Sequence, residues 1–334
     1  MKYVYSLILT LVLVSCGTKG DYFTLEGRLL NLNQGEFYVY STDGVIDAID
    51  TIHVAAGRFS YKTKCTQPGT LVIVFPNFSE QPVFAMPGKS VNLEGDAYKL
   101  KGIKVKGTDD NKLMNRFREQ IESASPQEIK HAVQLFVSNH PQSIVSIYLV
   151  RRYFIVCQTP DYNGAATLLA KIMEAQPENG RLKVLFNQVN GIAKVTVGKR
   201  LPAFSVKTIK GDVMTQKDFS KGDAIIYTWS TWEFESYTTL QYIDRLSDGK
   251  VKSLGICLDA SAKDCRKWID RENIKIPVSC DEKMFEGKAI QQLGLYSIPT
   301  NIIIRNGKIV ARDLHGEAIE KIIAPLYETT GDAK

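Results

Sequence analysis

The stretch Asp223-Ala224-Ile225-Ile226-Tyr227-Thr228-Trp229-Ser230-Thr231-Trp232-Glu233-Phe234-Glu235-Ser236 decides the fold of the C-terminal part of this chain. Its first half is a short apolar run without alternation, the pattern of a strand buried on both faces. Beyond Ser236 the period changes, and Tyr237, Leu240, Ile243 and Leu246 recur at helical spacing. A second buried strand follows at Leu254-Gly255-Ile256-Cys257-Leu258. A helix from about Ser261 to Glu272 then carries Cys265, Trp268 and Ile269 on one face. Ile276-Pro277-Val278 reads as a short strand with Cys280 just beyond it. Thr300 to Arg305, Asn306-Gly307 and Lys308 to Arg312 read as a hairpin on a two-residue turn. A last helix holds Ile319, Ile322, Ile323 and Leu326, with Pro325 expected to kink or end it at about 3 kcal/mol. Upstream, Phe204-Ser205-Val206 runs into the turn Lys210-Gly211-Asp212.

This order of elements, with the motifs between them, resembles the thioredoxin fold of the TlpA-like and peroxiredoxin-like families. Gly198-Lys199-Arg200-Leu201-Pro202-Ala203-Phe204 resembles their opening G-x-x-x-P-x-F, and Lys217-Asp218-Phe219-Ser220-Lys221-Gly222 is similar to the segment before their first core strand. Ser297-Ile298-Pro299-Thr300 matches the loop whose proline is cis in that fold, and Asn306-Gly307-Lys308-Ile309-Val310 matches the hairpin beyond it. The resemblance implies a thioredoxin-like α/β domain over residues 196–330. In redox members, backbone beside Pro299 would pair with an extended substrate segment, a form of strand addition.

The catalytic position departs from those families. Trp229 to Ser236 aligns with W-A-S-W-C-x-x-C, so Glu233 and Ser236 stand where the two cysteines belong. A helix start suits a redox thiol because it lowers the thiol pKa. A glutamate there is an ordinary N-terminal acid, worth roughly 0.3–1 kcal/mol, and cannot attack a disulfide or a peroxide. No cysteine lies between Cys157 and Cys257, so the conclusion does not depend on alignment detail. Glu233 and Glu235 are two apart and point in different directions, with no histidine near them in sequence, so no acid–base enzyme is expected. Three readings stay open for Cys257, Cys265 and Cys280. One is a disulfide between Cys265 and Cys280, closing about 16 residues for about 3 kcal/mol on the loop-entropy model. The others are three separately buried thiols, and a displaced redox-active set.

The N-terminus is read as an address. Lys2 precedes an uncharged apolar run from Tyr3 to Val14, too short to span a bilayer but suited to a signal-peptide core over residues 1–15. Leu13-Val14-Ser15-Cys16-Gly17 resembles the lipobox of bacterial lipoproteins, which implies lipidation at Cys16 and a short linker over 16–21. Acyl chains at about 0.8 kcal/mol per methylene would hold the chain on the membrane. Gly17 gives no inner-membrane retention signal, so the outer membrane with the body in the periplasm is the expected location.

Residues 22–107 read as many short strands, including Phe23 to Leu29, Glu36 to Tyr40, Ala48 to Val54 leading through Gly57 into Arg58 to Lys62, and Leu71 to Phe75. This predicts a β-sandwich. The Asp50-Thr51 strand, the Gly57-Arg58-Phe59 turn and Gly107-Thr108 resemble an uncharacterised β-domain that precedes thioredoxin-like domains in Gram-negative envelope lipoproteins. Residues 108–195 are helical in period. Thr108 or Asp109 caps the first helix, Ser125-Pro126-Gln127-Glu128 opens the second, and Ser143 to Val156 is strongly apolar with Cys157 at its end as a buried thiol. The fold class is therefore multidomain α+β, with a β-sandwich, a central helical module and a thioredoxin-like domain.

Composition sets the outer limits. The 334 residues are 44% hydrophobic and 23% charged, which excludes a disordered chain or a disulfide-dense miniprotein. A net charge of +6 over this length is too thin to imply nucleic acid. Without Cys-x-x-Cys or paired histidines, spacing points to no metal site and no cofactor. The expected function is an envelope lipoprotein held by its N-terminal lipid. Its redox-degenerate thioredoxin-like domain would bind an envelope protein or peptide through Trp232, Phe234 and the Ile298-Pro299 loop. The alternative is a thiol-disulfide oxidoreductase acting through Cys257, Cys265 and Cys280.

Overall fold

Alternation along β1 (Tyr22–Leu30) buries Phe23, Leu25 and Leu29 and leaves Glu26, Arg28 and Leu30 exposed, so one strand face builds the first core. The computed structural model describes residues 20–247, 251–316, 318, 319 and 321. The signal segment 1–15 and Cys16 lie outside the described residues, as do Ile322, Ile323, Pro325 and Leu326 of the expected last helix. By contacts the chain divides into two compact units, Met1–Asp161 with Thr167–Leu182, and Tyr162–Ala166 with Lys183–Lys334.

In the first unit, β1 is followed by β2 (Gln34–Ser41), β3 (Asp50–Ala55), β4 (Arg58–Lys64), β5 (Gly69–Val74), β6 (Glu80–Ala85), β7 (Ser90–Asp96) and β8 (Lys104–Lys106). All eight join one sheet in the order β6-β5-β2-β3-β4-β1-β7-β8, antiparallel except for the β1–β7 pair. The expected β-sandwich is corrected to this single sheet. Its apolar residues, from Phe23 on β1 to Val105 on β8, gather in one core. Gly27 lies opposite Phe59, whose ring occupies the space a Cβ would need.

Helix α1 (Asp109–Gln120) engages both edges of the sheet, making it barrel-like and nearly closed. Asn111 accepts the Phe84 N–H at 3.0 Å and donates to the Phe84 carbonyl at 2.9 Å. One turn on, Asn115 makes the same paired bonds with Val105, at 3.1 and 2.8 Å. Two side-chain amides thus stand in for neighbouring strands at the β6 and β8 edges, which would otherwise expose unpaired backbone groups.

Further helices are α2 (Pro126–Asn139), opened by a Ser125/Glu128 capping box, α3 (Ile144–Val150), α4 (Tyr162–Ala175) and α5 (Gly180–Ala193). The helices of the expected 108–195 module are divided between the two units. Cys65 is buried, whereas Cys157 is half-buried. No helix among the described residues is long and apolar enough to cross a membrane.

The second unit carries a hairpin of β9 (Ser205–Lys207) and β10 (Val213–Thr215), then β11 (Asp223–Trp229), α6 (Phe234–Ser247), β12 (Lys252–Cys257), α7 (Ala262–Glu272), β13 (Val278–Cys280), α8 (Lys288–Leu293), β14 (Thr300–Arg305) and β15 (Lys308–Arg312). Its main sheet has the order β13-β12-β11-β14-β15. β11, β12 and β13 run parallel, and β14 returns antiparallel. Successive β11 side chains feed two cores. Ala224 and Ile226 pack on one face with Leu254 and Ile302, and Ile225, Tyr227 and Trp229 on the other with Leu240, Ile243 and Trp268. That is why the strand reads as an unbroken apolar run. β13 starts later than expected, so Cys280 is its last residue.

Candidate functional site

β11 ends at Trp229, and the chain turns through Ser230 to Glu233 before α6 begins. Three ties hold this turn. Trp229 O accepts the Leu258 N–H at 2.8 Å, Asp259 Oδ1 accepts the Thr231 N–H at 3.0 Å, and Ser236 Oγ accepts the buried Ser230 N–H at 3.1 Å. Glu233 caps α6, its two carboxylate oxygens taking the N–H groups of Glu235 at 3.2 Å and Ser236 at 2.6 Å. The Ser236 side chain is fully buried and donates to the Glu233 carbonyl at 2.8 Å. Both side chains are thus engaged in completing the helix start.

The neighbouring loop is fixed by Thr228. Its Oγ1 accepts the Thr300 N–H at 2.9 Å and lies 3.2 Å from the carbonyls of Ser297 and Thr300. The Ile298–Pro299 peptide between them is cis. Ile298 is half-buried and Pro299 buried. Trp232 and Phe234, by contrast, are 58% and 71% exposed, which is unusual for aromatics in a folded domain. Phe234 is steadied by an edge-on contact with Tyr237 at 5.4 Å between ring centroids. Glu235 has a neighbour that sequence distance did not suggest, His315, with Nδ1 3.9 Å from its carboxylate. Both are surface groups, and an exposed pair at that distance gives little.

The displaced cysteines come together. Cys257 ends β12 and Cys280 ends β13, and the two are register partners. Cys265, one turn into α7, lies in the same core, and the three Sγ atoms are all within 4.8 Å of one another. All three are free thiols, with Cys257 and Cys265 buried and Cys280 half-buried. The Cys257 thiol is pushed far up, because its hydrogen bonds to Cys265 and Cys280 favour its protonated form and burial adds to this. Cys280 is pulled well below the ordinary thiol range, because both other thiols donate to its sulfur. Cys280 is the one half-buried residue of the three, and its Sγ lies 3.5 Å from the Asp259 carbonyl. Cys280 opens onto a groove of about 550 Å³ whose rim carries Lys207, Lys210, Arg266, Asp281 and Lys288. Sequence spacing alone hid this grouping. The available signal was that all three cysteines fall at C-terminal strand ends or in the first turn of the following helix, one end of an α/β sheet.

A mixed five-stranded sheet with helices against both faces, and a cis-proline loop leading into β14, defines a thioredoxin-like domain. Residues 197–312 match the AhpC/TSA family, and residues 23–114 match a family described as a domain of unknown function (DUF4369). Among curated proteins, the thiol:disulfide interchange protein DsbE of Pseudomonas fluorescens biotype C is 27% identical over 128 residues, covering 38% of this chain and 70% of that protein. The DsbE of Vibrio cholerae serotype O1 is 26% identical over 145 residues, covering 41% and 77%. Among solved structures, a thiol-disulfide oxidoreductase from Bacteroides fragilis is 25% identical, covers 38% of this chain and 99% of its own, and superposes with a TM-score of 0.35.

Proposed function

We propose that this chain is a cell-envelope lipoprotein, anchored at Cys16, whose thioredoxin-like domain binds an extended segment of an envelope protein without thiol chemistry at the α6 start. The observation that carries this reading is the state of Glu233 and Ser236, which close the helix start while Trp232 and Phe234 remain exposed. An extended partner would lie along the Ile298–Pro299 loop as an added strand. The two aromatic side chains would supply buried apolar area, at about 25 cal/mol per Å². The outer membrane, with the body in the periplasm, is the location proposed with it.

The test is a photo-crosslinking residue placed at position 234 in cells, with the exposed position 213 on β10 as control. Adducts at 234 that are absent at 213, and that Trp232→Ala diminishes several-fold, support the reading. Equal adducts at both positions, or none at 234, sink it. Globomycin, which blocks lipoprotein signal cleavage, should trap the unprocessed chain if Cys16 is lipidated.

One observation favours a second reading, thiol-disulfide exchange through the displaced cysteines. Cys257, Cys265 and Cys280 sit together, with the thiol best able to ionise facing the groove. Insulin reduction by dithiothreitol, accelerated by the protein and lost in Cys280→Ser, supports it. Turnover at the background rate removes it.

A further inference from the structure

Three strand and helix ends converge on one small volume. β12 delivers Cys257, its parallel neighbour β13 delivers Cys280 at the matching register position, and the first turn of α7 delivers Cys265. At a metal–sulfur distance of about 2.3 Å, three thiolates in a trigonal plane stand about 4 Å apart. Sulfurs already within 4.8 Å of one another can close on such an ion by side-chain adjustment alone.

From this geometry we propose that Cys257, Cys265 and Cys280 form a three-thiolate site for a soft monovalent cation of the copper(I) class. Thiolates select soft ions over magnesium or calcium. Among the described residues no fourth histidine, cysteine, aspartate or glutamate atom joins the group. Three thiolates complete the coordination of a trigonal ion outright, whereas zinc would need a fourth ligand from outside the trio. Trp229, Trp268 and Ile269 line the same core and keep water from the two inner sulfurs, which protects a bound ion from oxidation and hydrolysis. Cys280 provides the entry, since it alone of the three is half-buried and borders the groove. Binding needs thiolates, so the protons of the coordinating thiols leave to solvent as the ion enters. The loaded site is net negative, and Lys207, Lys210, Arg266 and Lys288 around the groove offset that charge.

The experiment titrates the fully reduced full-length chain, carrying Cys16→Ser, with copper(I) in competition with bathocuproine disulfonate. The expected result is one copper per chain, with Cys280, the one cluster thiol open to labelling in the metal-free folded chain, protected from alkylation while Cys157 still labels. In Cys280→Ser the stoichiometry falls from one to none, with a circular dichroism spectrum that matches the parent. In Cys157→Ser it stays at one. The protection measurement uses no cluster variant, so it decides the matter even if Cys280→Ser misfolds. Copper left entirely on the chelator overturns the proposal, as does capture that survives in a folded Cys280→Ser. Uptake of zinc(II) in preference to copper(I) also overturns it.

Discussion

The Glu233 carboxylate accepts the backbone N–H of Ser236 at 2.6 Å, and the Ser236 hydroxyl donates back to the Glu233 carbonyl at 2.8 Å. This reciprocal pair occupies the two positions at which the thioredoxin-like resemblance places redox thiols. The helix N-terminus that would stabilise a thiolate there stabilises a carboxylate instead. The local fold is kept, because four orphan N–H groups at a helix start need an acceptor whatever chemistry is attached.

Glu233→Ala removes that acceptor and should lower stability by about 1 kcal/mol, whereas Glu233→Asp, a shorter carboxylate with strong N-cap preference, should retain most of it. Urea unfolding followed by far-ultraviolet circular dichroism measures the difference. Equal midpoints for the alanine variant and the parent would show that the cap contributes nothing.

If the scaffold has lost only its sulfur atoms, replacing them should restore chemistry. Glu233→Cys combined with Ser236→Cys places one thiol at the helix N-cap, where the dipole lowers its pKa, and a resolving thiol in the buried position behind it. Insulin reduction should rise at least tenfold over the parent. No gain would mean that the surrounding loop, with exposed Trp232 and Phe234, no longer admits a disulfide substrate.

Much of this was legible in the sequence. The buried strand at Asp223–Trp229, the Asn306-Gly307 turn and the Ser125 cap announce themselves through local chemistry, because each is fixed by residues within a few positions. The partner of each strand is not local. Alternating short strands at 22–107 fit a two-sheet sandwich and a single curled sheet equally well, and which one forms depends on where the edges find their hydrogen bonds. Those bonds come from Asn111 and Asn115, which read in sequence as ordinary polar residues on a helix. The cysteine cluster was hidden for the same reason. Cys257 and Cys280 are far apart along the chain, and only the β12–β13 register makes them neighbours.

Asn111→Ala tests the closure of that sheet. The side chain is 1% exposed, and its loss strands both the N–H and the carbonyl of Phe84 in a buried edge. Each buried group left unpaired costs about 1–3 kcal/mol, so for the two a loss of roughly 2–6 kcal/mol is expected. The open β6 edge should also promote association, visible as larger species in light scattering. A monomeric variant of parental stability would show that α1 covers the edges without holding them.

The thiol cluster predicts a pH dependence with a definite sign. Cys280 is held below the ordinary thiol range by the two thiols that donate to it, while Cys257 is held above it. Alkylation follows the thiolate fraction, and a free cysteine titrates near about 8.5. The iodoacetamide rate at Cys280 should therefore reach its plateau well below that pH and fall only as the pH drops through the depressed folded value. Cys257 and Cys265, buried and raised, should label only on unfolding. Peptide mapping after timed labelling across pH 5 to 9 separates the three sites. In Cys257→Ser the hydroxyl is a poorer partner for the Cys280 sulfur, so the Cys280 profile should move toward that of a free thiol. A Cys280 profile that follows a free thiol in the parent chain would mean that the three sulfurs do not share a proton network.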